Sequence, residues 1–159
     1  MNALNIKWKY FIRSILLPVS VGALAALLTG GGMEVFAGLE KPPLSPPGFW
    51  FPIVWTILYT FMGIASYLVC SSDAKEDAKV AAIKIYFYQL VVNFLWPVLF
   101  FDFRLYTLSF LWLLLLLVLI ILMIRRFGAA SKSAARLLFP YLLWVMFAGY
   151  LNLGIALLN

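Results

Sequence analysis

The chain has 159 residues, 65% hydrophobic and only 11% charged, with a mean hydropathy of +1.03 and a formal net charge of +6. Soluble domains carry about a quarter charged residues, so this composition excludes a soluble globular domain and indicates an integral membrane protein. The lack of histidine and the single cysteine, Cys70, exclude an intramolecular disulfide, a Cys/His metal site and Ser-His-Asp or Cys-His catalysis.

A helix needs roughly 20 apolar residues to cross the hydrocarbon, and five segments qualify: about 11–30, 48–70, 80–101, 105–124 and 137–158. They leave almost no chain for a separate soluble domain, so residues 1–159 read as one membrane domain of the all-α class, a five-transmembrane-helix bundle. A β-barrel would alternate polar and apolar residues in short strands, whereas LWLLLLLVLIILMI is unbroken. Lys7, Lys9, Arg13, Lys75, Lys79, Lys84, Arg125, Arg126, Lys132 and Arg136 fall at one end, leaving Lys41 and Arg104 at the other. The positive-inside rule then predicts a cytoplasmic N-terminus and an outside C-terminus. The basic excess is thereby accounted for as a topology signal, without nucleic acid.

The first segment resembles a signal peptide in placing Lys7, Lys9 and Arg13 before an apolar run with small residues at Ala23 and Ala25. Keeping it as a span preserves the charge alternation. Pro18 predicts a kink or a change of helix geometry. Gly22, Ala26 and Gly30 form a small-residue stripe for close backbone approach, either inside one bundle or across a dimer.

The connection of residues 31–45 is long for a compact protein, which marks it as functional or disordered. Its Pro42 and Pro43, with Pro46 and Pro47 beyond, favour a rigid extended lid. Pro46 and Pro47 are expected in the first turn of the second span, where amides have no partner. That span puts Trp55, Tyr59, Met62, Gly63 and Ser66 on one face, so Trp55 and Tyr59 are expected to point inward. Residues 71–79 read as an ordinary solvated turn.

The third span has the most polar face, Tyr86, Gln89, Asn93, Trp96 and Phe100. Unpaired amides are costly in hydrocarbon, so Gln89 and Asn93 should face the interior, as interhelical glue or as ligand contacts. Pro97 should loosen the outer end. The fourth span is nearly uniform in Leu, Val and Ile and reads as scaffold. In the fifth, Tyr141, Trp144, Ala148 and Asn152 share a face, pairing a large ring with a small neighbour and an amide. That leaves room for something flat beside the ring, or describes plain helix packing.

Three motifs stand out together: KPPLSPPGFWFPIVWTILY from Lys41, NFLWP from Asn93 and LLFPYLLWVMFAGYLN from Leu137. From about Val19 to Leu157 the chain resembles the translocator protein / tryptophan-rich sensory protein family (TspO/MBR, peripheral benzodiazepine receptor). The resemblance implies a five-helix bundle, often a homodimer, with a pocket near the loop between the first two helices. It implies binding of porphyrins such as protoporphyrin IX, and in animal members of cholesterol and benzodiazepine-site drugs. By position Asn93, Trp96, Trp144 and Ala148 match pocket-lining residues, and Pro42 and Pro43 match the pocket loop. Where the family loop reads W-Y-x-x-L-x-K-P-x-W-x-P-P, this chain has Val35, Phe36 and Leu44 at the two tryptophans and the tyrosine. The loop tryptophan replaced by Leu44 is, with the partner matching Trp144, tied to porphyrin breakdown in some bacterial members. The cholesterol-recognition pattern is absent near the C-terminus, where Leu153 takes the place of its tyrosine.

The expectation is a membrane protein that binds a porphyrin or related tetrapyrrole, with Pro42, Pro43, Leu44, Trp55, Tyr59, Asn93, Trp96, Trp144, Ala148 and Asn152 as the ligand-binding set and no cofactor. Membrane lipid and a second copy of the chain are the other expected partners, in a bacterial cytoplasmic membrane. The alternatives are an enzyme that degrades porphyrin in light, with Trp144 as reacting partner, and a lipid or sterol translocator. Coupled transport relies on intramembrane ionisable groups. Here Glu34, Glu40, Asp73, Glu76, Asp77 and Asp102 all fall in loops or at span ends.

Overall fold

A computed structural model describes residues 6–159, in which helices are the only regular elements. They are α1 (Trp8–Leu28), α2 (Gly32–Gly38), α3 (Trp50–Cys70), α4 (Glu76–Pro97), α5 (Tyr106–Ala130), α6 (Lys132–Leu137) and α7 (Phe139–Leu158), with a π-helical turn, Val98–Asp102, continuing α4. Five spans are long and apolar enough to cross a membrane: α1, α3, α4 with its π turn, α5, and α6 joined to α7. At 1.5 Å per residue the 21-residue α1 and α3 reach about 31 Å, the thickness of the hydrocarbon core.

The prolines act in three ways. Pro18 lies inside an unbroken α1 and is buried. Pro46 and Pro47 precede α3 rather than starting it: the helix opens at Trp50 after Phe49, with the Trp50 amide donating to the Pro47 carbonyl at 3.1 Å. Pro52 occupies the first turn instead, as does Pro140 in α7. Pro97 has no amide to return to Asn93, and the chain widens immediately after it. The Phe103 amide reaches the Val98 carbonyl at 3.0 Å, five residues back, and the Leu105 amide reaches Leu99 at 3.0 Å. This wider turn carries the rings of Phe100 and Phe101 toward the bundle.

Residues 31–45 are not extended throughout. Gly32–Gly38 form a two-turn helix, and extended backbone begins only at Leu39, where the prolines take over.

The spans close into a ring. α1 packs on α3, α3 on α6, α7 on α5, α5 on α4, and α4 back on α1, with α3 and α4 also touching across the ring. The α1–α3 seam is the tightest: a Cβ on Gly63 would stand 2.5 Å from the Ile15 Cα and 2.7 Å from the Ser14 carbonyl oxygen. Gly22 lies against the Tyr59 ring in the same seam. The expected stripe divides, because steps of four residues drift about 40° around a helix of 3.6 residues per turn. Ala25 and Thr29 stay buried, while Ala26 and Gly30 are exposed. α5 gives its Ser109, Leu113, Leu116, Ile120, Met123 and Phe127 face to the core, the scaffold role its composition indicates.

Candidate functional site

Amide and hydroxyl groups from α3, α4 and α7 meet at the centre of the ring. Asn93, 2% exposed, accepts from the Tyr59 hydroxyl at Oδ1 (2.9 Å) and donates from Nδ2 to the Tyr141 hydroxyl (2.7 Å). Tyr141 in turn donates its hydroxyl hydrogen bond to Gln89 Oε1 (2.8 Å), and Gln89 Nε2 ends the chain by donating to Met62 Sδ (3.6 Å). Each hydroxyl and amide here is matched by another, as burial in an apolar bundle requires. Trp55 lies over this chain, 5.6 Å from Tyr59 and 6.1 Å from Tyr141 between ring centroids.

One turn further along α4, a second relay joins three spans. Trp96 Nε1 donates to Asn152 Oδ1 (3.1 Å), and Asn152 Nδ2 donates to the Tyr106 carbonyl at the start of α5 (2.7 Å). Trp112 Nε1 ties α5 to the Val92 carbonyl (2.8 Å). Beside this relay, between α2, α3, the π turn and α7, is a cavity of about 20 Å³ lined by Phe36, Phe51, Trp96, Phe100, Phe101, Ala148, Leu151, Asn152 and Ile155. A cavity of that size has room for roughly one water, whereas ligand pockets run to about 300 Å³ and more. The rings of Phe36, Phe51, Phe100 and Phe101 fill the remainder.

Trp144 borders the same region. It is half-buried, 5.9 Å from Phe51 and 5.7 Å from Phe147 between centroids. Its indole Nε1 is buried without a hydrogen-bond partner.

The loop above is fastened to α7 at three points. Pro42 packs against Gly154, where a Cβ would come within 2.5 Å of the proline Cγ. The Tyr150 hydroxyl donates to the Pro43 carbonyl at 2.8 Å. The Asn159 side chain bonds Glu40 twice, accepting from its amide (3.1 Å) and donating to its carbonyl (2.9 Å). Lys41 Nζ closes the C-terminal end of α2 on the carbonyls of Phe36, Ala37 and Leu39 at 3.0, 3.1 and 2.7 Å, where the helix dipole favours a cation.

Of the expected set, Tyr59, Asn93, Trp96, Ala148 and Asn152 are buried together, and Trp55 and Trp144 line the same interior from half-buried positions. Pro42 is buried under the loop and Pro43 is exposed. Leu44 stands apart. It is 83% exposed, in the left-handed region at φ 68°, because the turn that Ser45 Oγ closes on the Pro42 carbonyl (2.7 Å) directs it away from the cavity. Phe36, Phe51, Phe101, Leu151 and Ile155 were missed by sequence reasoning. Periodicity marks a buried face, and nothing in an apolar residue distinguishes a cavity wall from ordinary core. Gln89 and Tyr141 were legible as polar-face neighbours of Asn93 and Trp144, and the structure makes them hydrogen-bond partners of Asn93.

Comparison with known proteins agrees with this architecture. Residues 14–158 match the TspO/MBR family. The chain is 36% identical over 149 residues to a tryptophan-rich protein TspO of Archaeoglobus fulgidus, covering 93% of this chain and 95% of the relative. It is 36% identical over 147 residues to the translocator protein of Bos taurus, covering 91% and 87%, and 36% identical over 124 residues to that of Homo sapiens, covering 77% and 73%. With five spans in the expected order and a family match over nearly its whole length, the chain belongs to the TspO/MBR family.

Proposed function

We propose that the protein binds a flat, largely apolar ligand, a porphyrin such as protoporphyrin IX, between α3, α4 and α7 beneath the loop of residues 39–49. The observation that carries this reading is the Trp144 indole: a buried N–H with no partner, on a wall of aromatic rings, is a donor still to be matched. The pairing of Trp144 with the small Ala148 one turn on provides an edge along which a planar ring system fits. The relay through Asn93 is already satisfied within the protein, so its contribution is to hold the floor in shape, with the rings of Trp55, Trp96 and Trp144 as the contact surface. Since the cavity now admits about one water, binding requires the four phenylalanine rings to part and the loop to lift. The bundle is proposed to lie N-terminus inward in a bacterial cytoplasmic membrane, as its basic end requires.

The test is a titration of purified protein with protoporphyrin IX, following tryptophan emission. Saturable one-site quenching is expected. Trp144→Phe should weaken affinity about tenfold, the scale of one lost hydrogen bond to a buried donor, and Ala148→Phe should abolish it by filling the slot. Quenching that does not saturate, or that Ala148→Phe leaves unchanged, would remove the ligand from this site. The illuminated complex should keep its porphyrin spectrum. Loss of the porphyrin bands, with a new tetrapyrrole product, would favour the degrading enzyme.

A further inference from the structure

Another concavity lies at the opposite, basic end. It is an open groove of about 740 Å³ between the start of α1, the end of α3 and the first half of α4. A second groove of about 450 Å³ shares its Cys70, Lys79, Ile83 and Phe87 wall. We propose that this groove is a site for an anionic phospholipid, taking the phosphate of the headgroup between Lys7, Arg13 and Lys79 and one acyl chain along Leu17, Ile83 and Phe87.

Three observations converge. First, the groove is built by specific contacts: the Lys7 amide donates to the Tyr67 hydroxyl at 3.0 Å, and Phe11 sets its ring edge against Tyr67 with centroids 5.2 Å apart. Those contacts hold the first turn of α1 against the end of α3, bringing the cations of α1 opposite Lys79 of α4. Second, its charge is of one sign. Lys7, Arg13 and Lys79 line it, and among the described residues no acidic side chain does; Glu76 lines the adjoining groove, as does Lys84. Third, the floor holds a hydroxyl still in need of a partner. Tyr86 is 2% exposed and its Oη is without a hydrogen bond; it lies about 10 Å deeper than Lys79 along α4, below the phosphate and beside the head of the acyl track, where the lipid's ester oxygens would meet it.

Depth separates a lipid from a soluble anion. α1 and α4 both enter the bilayer from this end. Leu17 is therefore one turn deeper than Arg13, and Ile83 and Phe87 are one and two turns, about 6 and 12 Å, deeper than Lys79. Leu17 and Phe87 are both more than 40% exposed, an apolar track continuing from a cationic mouth. Basic pockets between helices at the cytoplasmic side suit such headgroups.

The test is native mass spectrometry of the full chain from nanodiscs of phosphatidylcholine with increasing phosphatidylglycerol, counting retained lipid. One phosphatidylglycerol should persist after the others are stripped. Arg13→Gln with Lys79→Gln should weaken its retention about thirtyfold, from the contribution of each basic residue at an anionic surface. Tyr86→Phe should weaken it several-fold at an unchanged unfolding temperature in phosphatidylcholine. The control pair Arg125→Gln with Arg136→Gln removes the same charge from the same end and should leave retention unaltered. An equal loss in the control pair would reduce the effect to diffuse surface charge and overturn the site. Displacement of the lipid by millimolar inorganic phosphate or glycerol phosphate would reassign it to a soluble anion.

Discussion

Asn93 is the residue on which the interior polar chain turns, since it accepts from one span and donates to another. Replacing it with alanine leaves the Tyr59 hydroxyl without an acceptor and removes one donor to Tyr141. In an apolar interior such a loss costs about 1–3 kcal/mol. Tyr59→Phe removes one bond and no more, at about 0.6 kcal/mol by the average for interhelical bonds in membranes. Because both changes delete the same Tyr59–Asn93 bond, the double variant should cost less than the sum of the singles. Unfolding in mixed detergent micelles measures all three; strict additivity would mean that the two side chains do not act through each other. Gln89, buried at the far end of the chain, bonds Tyr141 and Met62 and neither residue is changed, so these contacts should persist in all three variants.

At the level of the helices, glycine determines how closely two spans approach, and the surroundings of each glycine determine what a methyl group does there. At Gly63 the neighbours are the backbone of α1, with Ile15 Cα at 2.5 Å, which cannot turn aside as a side chain can. Gly63→Ala should therefore force α1 and α3 apart and cost about 1–3 kcal/mol. Gly149 in α7 has nothing within 4 Å, so Gly149→Ala should be neutral or stabilising by up to about 1 kcal/mol through helix propensity. Thermal unfolding of the two variants in one detergent checks the pair, and equal effects would contradict the packing argument. This difference was not legible in the sequence, where Gly63 and Gly149 are both single glycines in apolar helices. The inward face of α4 was legible, because Tyr86, Gln89, Asn93, Trp96 and Phe100 recur at helical spacing and amides must find partners away from lipid. α2 was not, since seven residues flanked by glycines carry too little periodicity to separate helix from loop. The exposure of Leu44 was hidden for a different reason: the turn that directs it outward depends on a side-chain bond from Ser45 to the carbonyl of Pro42.

Across the whole molecule, the bonds that fasten the loop join residues 107 and 119 positions apart, Pro43 to Tyr150 and Glu40 to Asn159. No local pattern announces them. They matter because a cavity of about 20 Å³ cannot accept a macrocycle until the loop rises, so the fastening should govern how fast a ligand enters. Each hydrogen bond contributes about 0.5–1.5 kcal/mol net. Tyr150→Phe combined with Asn159→Ala removes three such bonds and should thus make opening easier by roughly 1.5–4.5 kcal/mol, which corresponds to about 10- to 2,000-fold in the open population. Stopped-flow mixing with protoporphyrin IX should show the association rate rising by a factor in that range. The dissociation rate should rise as well wherever the same bonds re-form over bound ligand, so affinity changes less than either rate. Trp144→Phe provides the contrast, because it touches the contact surface and leaves the loop fastened: its effect should fall on dissociation, with association unchanged. Faster hydrogen exchange at residues 39–45 in the double variant would show that the loop had been released. If exchange accelerates while the association rate stays at the wild-type value, the ligand reaches its site by another route, between helices from the bilayer, and the loop is a structural clamp on α7 with no part in admission.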